Sequence, residues 1–251
     1  CSAAATSNMS LGQLSFVVGA LVLLDVTVLP RRWRGALVGL AGALKLTPLI
    51  LVPYFLITRQ WRAALNASVA FGAATLVSAA VRWSDSLRYW LHPELVRTSL
   101  GELARVDNWS INGLVSLMGF GATPRTVIWL VLAAAVLVVA VWRAGLHHRA
   151  GQDLEAVLVM GLTAALVAAA TWPHHMLYFL VAGVLLSVQR PLLGFPLMVA
   201  FAVGGYVFPD QVGVFVVLVM VALVVLGLPN PPPTVVASTS PPYGESDSAP
   251  A

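Results

Sequence analysis

Charged residues are scarce in this sequence: only 10% of its 251 residues are Asp, Glu, Lys or Arg, whereas 59% are hydrophobic. An ordinary soluble domain carries about a quarter charged residues, so the composition argues against one. A helix that spans a bilayer needs roughly 20 apolar residues, and the chain could supply up to about eight or nine such helices with their loops. We therefore predict an all-α fold, a polytopic transmembrane helix bundle.

Cysteine and lysine occur only once each, as Cys1 and Lys45. A single cysteine excludes an intrachain disulfide and a Cys-based metal site. The formal net charge of +4 comes mainly from arginines between apolar runs, a pattern typical of membrane topology rather than of nucleic-acid binding. The sequence has no Walker A, dinucleotide-binding, HExxH or nucleophile-elbow motif. We expect no nucleic-acid partner and no metal.

The apolar residues form runs bounded by charged residues, proline or glycine. These runs cover residues 11–29, 36–57, 63–81, 126–142, 154–171, 176–188, 192–208 and 212–228. We assign residues 1–228 to one membrane domain and predict that the Pro- and Ser-rich residues 229–251 are a disordered cytoplasmic tail. The start, Cys1-Ser-Ala-Ala-Ala, has no Met and no signal-peptide pattern. These features favour the interpretation that the sequence is the carboxy-terminal portion of a longer protein.

Four short arginine-rich loops predict the orientation. The positive-inside rule places residues 31–34, 58–62, 142–149 and 189–190 in the cytoplasm. Segment 36–57 must then enter the membrane and return to the same side, with a break at Lys45-Leu-Thr-Pro48, because Pro48 removes a helix hydrogen bond. The alternative is a plain span kinked at Pro48, with one arginine loop outside.

Lys45 stands in an otherwise apolar run, where an ammonium is costly unless it faces protein or water. It could snorkel to an interface or pair with an acid such as Asp25. It could instead hold an anionic group such as a lipid phosphate beside a broken helix.

Two polar strings fall at the predicted extracytoplasmic face. Trp172-Pro-His174-His175 interrupts two apolar runs, and it is either an interfacial aromatic belt or a source of hydrogen bonds to phosphate or sugar hydroxyls. Asp107-Asn108-Trp-Ser110-Ile-Asn112-Gly precedes a short apolar piece. Asn108 or Ser110 could cap a helix there, but Asp, Asn and Trp also suit a sugar site. Glu94 and Glu102 in the same loop are better explained as part of a solvent-exposed face than as residues of a site.

Several strings in order resemble a known family. They are Leu11-Gly12-Gln13-Leu14-Ser15, Leu24-Asp25, Leu44-Lys45-Leu46-Thr47-Pro48, Pro53-Tyr54, Thr58-Arg59-Gln60-Trp61-Arg62, Asn108-Trp-Ser-Ile-Asn112-Gly113 and Trp172-Pro-His-His175. Together they resemble the polyprenol-phosphate-mannose-dependent α-mannosyltransferases, glycosyltransferase family 87. The likeness covers most of residues 11–187, and its specificity lies in the shared order. Pro173 stands where that family has an Asp, so this sequence has no acid at that position.

The resemblance implies a GT-C fold and an enzyme of the plasma membrane that needs no cofactor. Such an enzyme transfers mannose, with inversion, from polyprenyl-phosphate-mannose to a glycolipid or lipoglycan acceptor at the extracytoplasmic face. By carry-over, Lys45, His174 and His175 would bind the donor phosphate. Asp107, Asn108, Asn112 and Trp172 would bind sugar or acceptor, and the general base would lie ahead of Cys1.

Two other functions stay open at this point. A transporter or flippase of lipid-linked precursors would use Lys45 as a substrate ligand near the membrane midplane. A non-catalytic membrane subunit would use none of these side chains chemically.

Overall fold

The computed structural model describes residues 14–92, 103–207 and 209–228, which contain α-helices, 3₁₀ turns and no strand. The α-helices are α1 (Ser15–Thr27), α2 (Ala36–Leu44), α3 (Leu51–Ile57), α4 (Trp61–Val81), α5 (Trp83–Leu91), α6 (Ile111–Leu117), α7 (Ala122–Arg149), α8 (Asp153–Val167), α9 (Leu177–Gln189), α10 (Pro191–Val207) and α11 (Pro209–Leu226). The predicted all-α fold is confirmed. Glu94, Glu102, the start of the first apolar run and the tail 229–251 lie outside the described residues.

The segment from α2 to α3 enters the bundle and turns back. α2 ends at Leu44, Lys45 is extended with φ −156° and ψ 125°, and a 3₁₀ turn, Thr47–Ile50, leads into α3. Pro48 cannot continue a regular helix because its ring fixes φ and it has no N–H. The structure therefore shows the returning segment rather than a kinked span.

Both ends of this returning segment lie among arginines. Arg34 forms an ion pair with Asp153 at 2.6 Å, and the side chain of Asn66 donates to the carbonyls of Arg32 and Arg34, both at 2.9 Å. Arg31, Arg59 and Arg62 line one cavity together with Arg34 and Asp153. Gln189, which precedes Arg190, donates to Glu155 in the first turn of α8 at 3.3 Å. We call this end of the bundle, where the predicted cytoplasmic loops gather, the arginine end.

Helix α8 is the centre of the bundle. It packs against α7, α9, α11 and α1, and every residue from Glu155 to Ala164 is buried. A helix that is apolar all round has no solvent-facing stripe and belongs inside a core. Its position fixes the loops at its two ends relative to the surrounding helices.

Among the described helices, two have the length and composition to cross a membrane. α4 has 21 residues and α7 has 28, and only 11% of the apolar window of each is buried. At 1.5 Å per residue they are about 32 and 42 Å long, enough for a hydrocarbon layer of about 30 Å. Their exposed aliphatic side chains, such as Leu76 and Val138, indicate a lipid-facing surface, and we treat the chain as a membrane protein.

The apolar run at residues 154–171 forms a shorter helix than predicted. α8 has 15 residues, although the sequence predicts a run that extends to residue 171. The next helix, α9, has 13 residues, the length of the predicted run 176–188. α8 ends at Val167 because Ala168 leaves the helical region with ψ 152°, and residues 168–172 then connect to the 3₁₀ turn Pro173–His175. We call residues 168–176 the site loop.

Candidate functional site

Lys45 occupies the turn between α2 and the 3₁₀ turn, at the end opposite the arginines. Its Nζ donates a hydrogen bond to Oγ of Ser15, the first residue of α1, at 3.2 Å. Asp25 is not its partner. The Asp25 carboxylate accepts from the backbone N–H groups of Gly35, Leu37 and Val38 at 2.7, 2.8 and 3.2 Å, so it caps the start of α2 near the arginine end.

His174 and His175 lie in the site loop, outside the helices that enter the bilayer. Their rings meet edge to face, 4.4 Å apart, and His174 is buried. The backbone N–H of Trp172 donates to Nδ1 of His175 at 3.3 Å. Because Nδ1 accepts, a neutral His175 carries its proton on Nε2, which makes that atom a donor.

The electrostatic surroundings keep both imidazoles neutral. Burial, followed by the charges of Lys45 and His174, lowers the pKa of His175 to about 3. Burial, followed by the charge of Lys45, also lowers the pKa of His174 below its usual value. Near neutral pH the histidines can therefore donate hydrogen bonds without carrying charge.

One small cavity joins Lys45 and His175. Ser15, Thr47 and Thr171 contribute aliphatic hydroxyl groups to its lining, and Gly161, Leu177, the ring of Tyr178 and several alanines contribute apolar surface. Its volume is about 60 Å³, space for roughly two water molecules at ~30 Å³ each. The structure thus brings together an amine and an imidazole that lie 130 residues apart in the sequence.

The two predicted sugar-binding asparagines form hydrogen bonds within the protein. Oδ1 of Asn108 accepts from Ser110 Oγ at 2.9 Å and from the Thr171 N–H at 3.0 Å, while its Nδ2 donates to the Leu103 carbonyl at 3.1 Å. Asn112 Nδ2 donates to the Ala169 carbonyl at 2.9 Å. Both residues are buried. They hold the segment before α7 against the site loop.

Within the sequence 107–113, residues 110–113 form the start of α6. Ser110 is the N-cap, as one of the sequence alternatives proposed, and its Oγ accepts from the Gly113 N–H at 3.0 Å. Gly113 has no room for a side chain, since a Cβ there would collide with the Asn108 carbonyl. The backbone N–H of Trp109 also donates to the Thr171 carbonyl at 2.6 Å.

Asp107 and Trp172 are linked by an arginine that the sequence reasoning did not single out. Arg105 pairs with Asp107 through two hydrogen bonds of 2.8 and 2.9 Å, and its guanidinium lies 5.6 Å from the centre of the Trp172 ring. The hydrogen bonds from Arg105 hold the pKa of Asp107 below its usual value. The one available signal was the Arg-Val-Asp spacing just before Asn108.

Among the cavity residues, Thr171 was also missed. It shows no motif in the sequence, and its place depends on the hydrogen bonds from the 103–112 segment. Ser15 and Thr47 stood inside strings already noted, but no role was assigned to them.

A family profile described as Glycosyltransferase family 87 matches residues 1–171. The chain belongs to glycosyltransferase family 87. The match includes Lys45, Asp107, Asn108 and Asn112, and it ends just before Trp172.

Curated relatives of this family 87 chain come from mycobacteria. A polyprenol-phosphate-mannose-dependent alpha-(1-2)-phosphatidylinositol mannoside mannosyltransferase of Mycobacterium tuberculosis is 34% identical over 186 residues, covering 73% of this chain and 43% of that protein. The protein of the same description from Mycolicibacterium smegmatis is 34% identical over 207 residues, covering 77% and 47%. A pentamannoside mannosyltransferase from Mycolicibacterium smegmatis is 31% identical over 183 residues, covering 69% and 42%.

The matched region of the family 87 chain thus spans less than half the length of these curated relatives. No solved structure matches it.

Proposed function

We propose that the protein transfers mannose from a polyprenyl-phosphate-mannose donor to a glycolipid or lipoglycan acceptor. Family membership supports the reaction class. The mycobacterial relatives, described as phosphatidylinositol mannoside mannosyltransferases, suggest a phosphatidylinositol-based glycolipid as acceptor. The cavity that joins Lys45 to His175 is the observation that carries the proposal.

The chemistry fits these two side chains. An acceptor hydroxyl attacks the anomeric carbon of mannose, the bond from that carbon to the phosphate oxygen breaks, and the hydroxyl proton passes to a general base. Charge develops on the departing polyprenyl phosphate, where the Lys45 ammonium and the His175 Nε2–H can stabilise it. The described residues supply these phosphate ligands, and the base is not assigned among them.

The size of the cavity limits what it holds. A volume of about 60 Å³ accepts a small group such as part of a phosphate, so the sugar and the prenyl chain lie outside it in this conformation. The exposed apolar faces of α4 and α7 provide surface for a prenyl chain within the bilayer.

We also propose that the chain crosses the membrane several times and that this cavity faces the extracytoplasmic side. The support is the clustering of Arg31, Arg34, Arg59 and Arg62 at the opposite end, since arginine-rich loops stay in the cytoplasm. In a Cys1→Ser background, a membrane-impermeant maleimide added to intact cells should label Val106→Cys but not Arg59→Cys. Equal labelling of both positions would contradict this orientation.

Mannose transfer by the full-length protein tests the reaction. Membranes that contain it are given labelled polyprenyl-phosphate-mannose and a phosphatidylinositol mannoside, with vesicles lacking the protein as the control. We expect labelled, extended glycolipid. Movement of the donor across the bilayer without transfer would show a flippase instead, and neither activity would show a non-catalytic subunit.

A further inference from the structure

A second cavity lies at the arginine end and is far larger than the one at Lys45. Its volume is about 590 Å³, within the range of about 300–1,000 Å³ found for small-ligand sites. Arg31, Arg34, Arg59 and Arg62 line it, together with His148 and Asp153. We call it the four-arginine cavity.

Positive charge in the four-arginine cavity exceeds negative charge. Asp153 is the carboxylate among its lining residues, and Arg34 and His148 already bind it, each at 2.6 Å. Within residues 14–92, 103–207 and 209–228, Arg31, Arg59 and Arg62 have no ion-pair partner. In the part of the chain that the structure describes, the buried Nε of Arg34 has no hydrogen-bond acceptor. A buried donor without a partner calls for an acceptor that comes from elsewhere.

The arginines converge through tertiary structure rather than through sequence alone. The loop that carries Arg31 and Arg34 is held to α4 by Asn66, whose side chain donates to the carbonyls of Arg32 and Arg34 at 2.9 Å. Arg59 adopts φ 59°, the left-handed region that non-glycine residues rarely occupy. Maintaining this backbone costs stability, and strained positions of this kind cluster at binding sites.

The start of α4 adds to the positive electrostatic potential of the four-arginine cavity. Its first turn has no acidic residue, and Gln60 provides no side-chain cap, since its amide donates to Thr58 at 2.9 Å. The free N–H groups and the helix dipole therefore favour an anion beside Arg62. Trp61, another lining residue, is 63% exposed, and an aromatic ring of this kind is typical of the membrane interface.

We propose that the four-arginine cavity binds a phosphate-bearing anion at the face opposite the Lys45 cavity. Guanidinium groups match phosphate oxygens with paired, charge-assisted hydrogen bonds. The exposed Trp61 at the cavity favours the headgroup of an anionic phospholipid as the source of the phosphate. A soluble phosphate compound has the same chemistry and is the other source. The site does not depend on the proposed mannose transfer.

Binding measurements on the purified full-length protein in a neutral detergent distinguish the sources. Native mass spectrometry with added phosphatidylglycerol, against phosphatidylcholine as a neutral lipid, reports lipid retention. Calorimetric titration with inorganic pyrophosphate reports a soluble ligand. We expect one retained phosphatidylglycerol per chain in excess of the neutral lipid; binding of pyrophosphate without lipid retention would assign the site to a soluble phosphate.

A charge-matched pair of variants tests the location. The triple variant R31Q/R59Q/R62Q removes three cavity arginines and leaves the Arg34–Asp153 pair intact. The control, R32Q/R149Q/R190Q, removes three exposed arginines that do not line the cavity. The first should weaken binding about tenfold or more, since each charge-assisted hydrogen bond is individually strong, and the second should leave affinity within a factor of about two.

Equal loss of binding in both triple variants would show nonspecific attraction to a basic face and would overturn the proposal. Failure of the unaltered protein to bind either phosphatidylglycerol or pyrophosphate would also overturn it. Thermal unfolding of both variants shows whether they are folded. Arg59→Gly keeps the left-handed backbone without strain and removes one guanidinium. If the triple variant does not fold, weaker binding by Arg59→Gly supports the site and unchanged binding overturns it.

Discussion

The ammonium of Lys45 donates a hydrogen bond to the hydroxyl of Ser15 at 3.2 Å, across 30 residues of sequence. This contact joins the break after α2 to the first turn of α1. It holds the amine beside the cavity that His175 also lines, where a phosphate could replace the weak neutral acceptor.

Lys45→Ala should lower mannose transfer by the full-length protein by about 10²- to 10³-fold, the usual loss when one group that stabilises a developing charge is removed. Ser15→Ala should have a smaller effect, up to about tenfold, because a neutral hydrogen bond contributes roughly 0.5–1.5 kcal/mol. The measurement is kcat and KM for the donor in both variants. Lys45→Ala with both constants unchanged would remove the phosphate assignment.

His175 should make the protein less stable in acid. Its pKa is about 3 in the folded state, against about 6.5 when unfolded. Between these values the unfolded chain binds a proton that the folded chain does not, so the free energy of unfolding falls as the pH drops from about 6.5 toward about 3. His175→Gln, which cannot titrate, should lose less thermal stability between pH 7 and pH 5 than the unaltered protein. The same loss of thermal stability in His175→Gln and in the unaltered protein would show that other titrating groups cause the loss.

Asn108 should matter for stability rather than for sugar contacts. Asn108→Ala leaves the buried Thr171 N–H and the Ser110 hydroxyl without their acceptor, and each unsatisfied group costs about 1–3 kcal/mol. Thermal unfolding in detergent measures this loss. Asn66→Ala, at the arginine end, is the control for a lost asparagine elsewhere: both should reduce stability, but only Asn108→Ala should loosen the site loop and raise hydrogen exchange at Thr171.

Asp25 should be required for the turn from α1 to α2. It is fully buried and accepts three backbone hydrogen bonds at the start of α2. Asp25→Ala should reduce the free energy of unfolding by roughly 2–5 kcal/mol, because hydrogen bonds to a charged group are stronger than neutral ones. Asp25→Asn, which keeps one oxygen acceptor, should lose less. Equal loss in the two variants would mean that the one oxygen kept in Asp25→Asn does not preserve the cap, and that the negative charge, which both variants remove, is required.

Much of the fold follows from the sequence. The scarcity of charge predicted a helical membrane bundle because a bilayer accepts little else. The arginine loops on both sides of segment 36–57 predicted that it returns, and Pro48 predicted the position of its break. The arginine loops predicted which ends lie together, since the positive-inside rule expects such loops on the same side of a membrane. The strings from Leu11 to His175, taken in their shared order, were enough to indicate the family.

Tertiary structure alone decided how the polar side chains are used. Asn108, Asn112 and Asp25 have the residue types of a binding site, yet their hydrogen bonds go to backbone groups of the site loop and of α2. Sequence spacing fixes which face of a helix a residue occupies, but not which distant loop it meets. The meeting of Lys45 with His175 and the convergence of the four arginines arise from the packing of α2 and α4 and of the other helices around the buried α8, because only that packing sets which helix ends share a cavity.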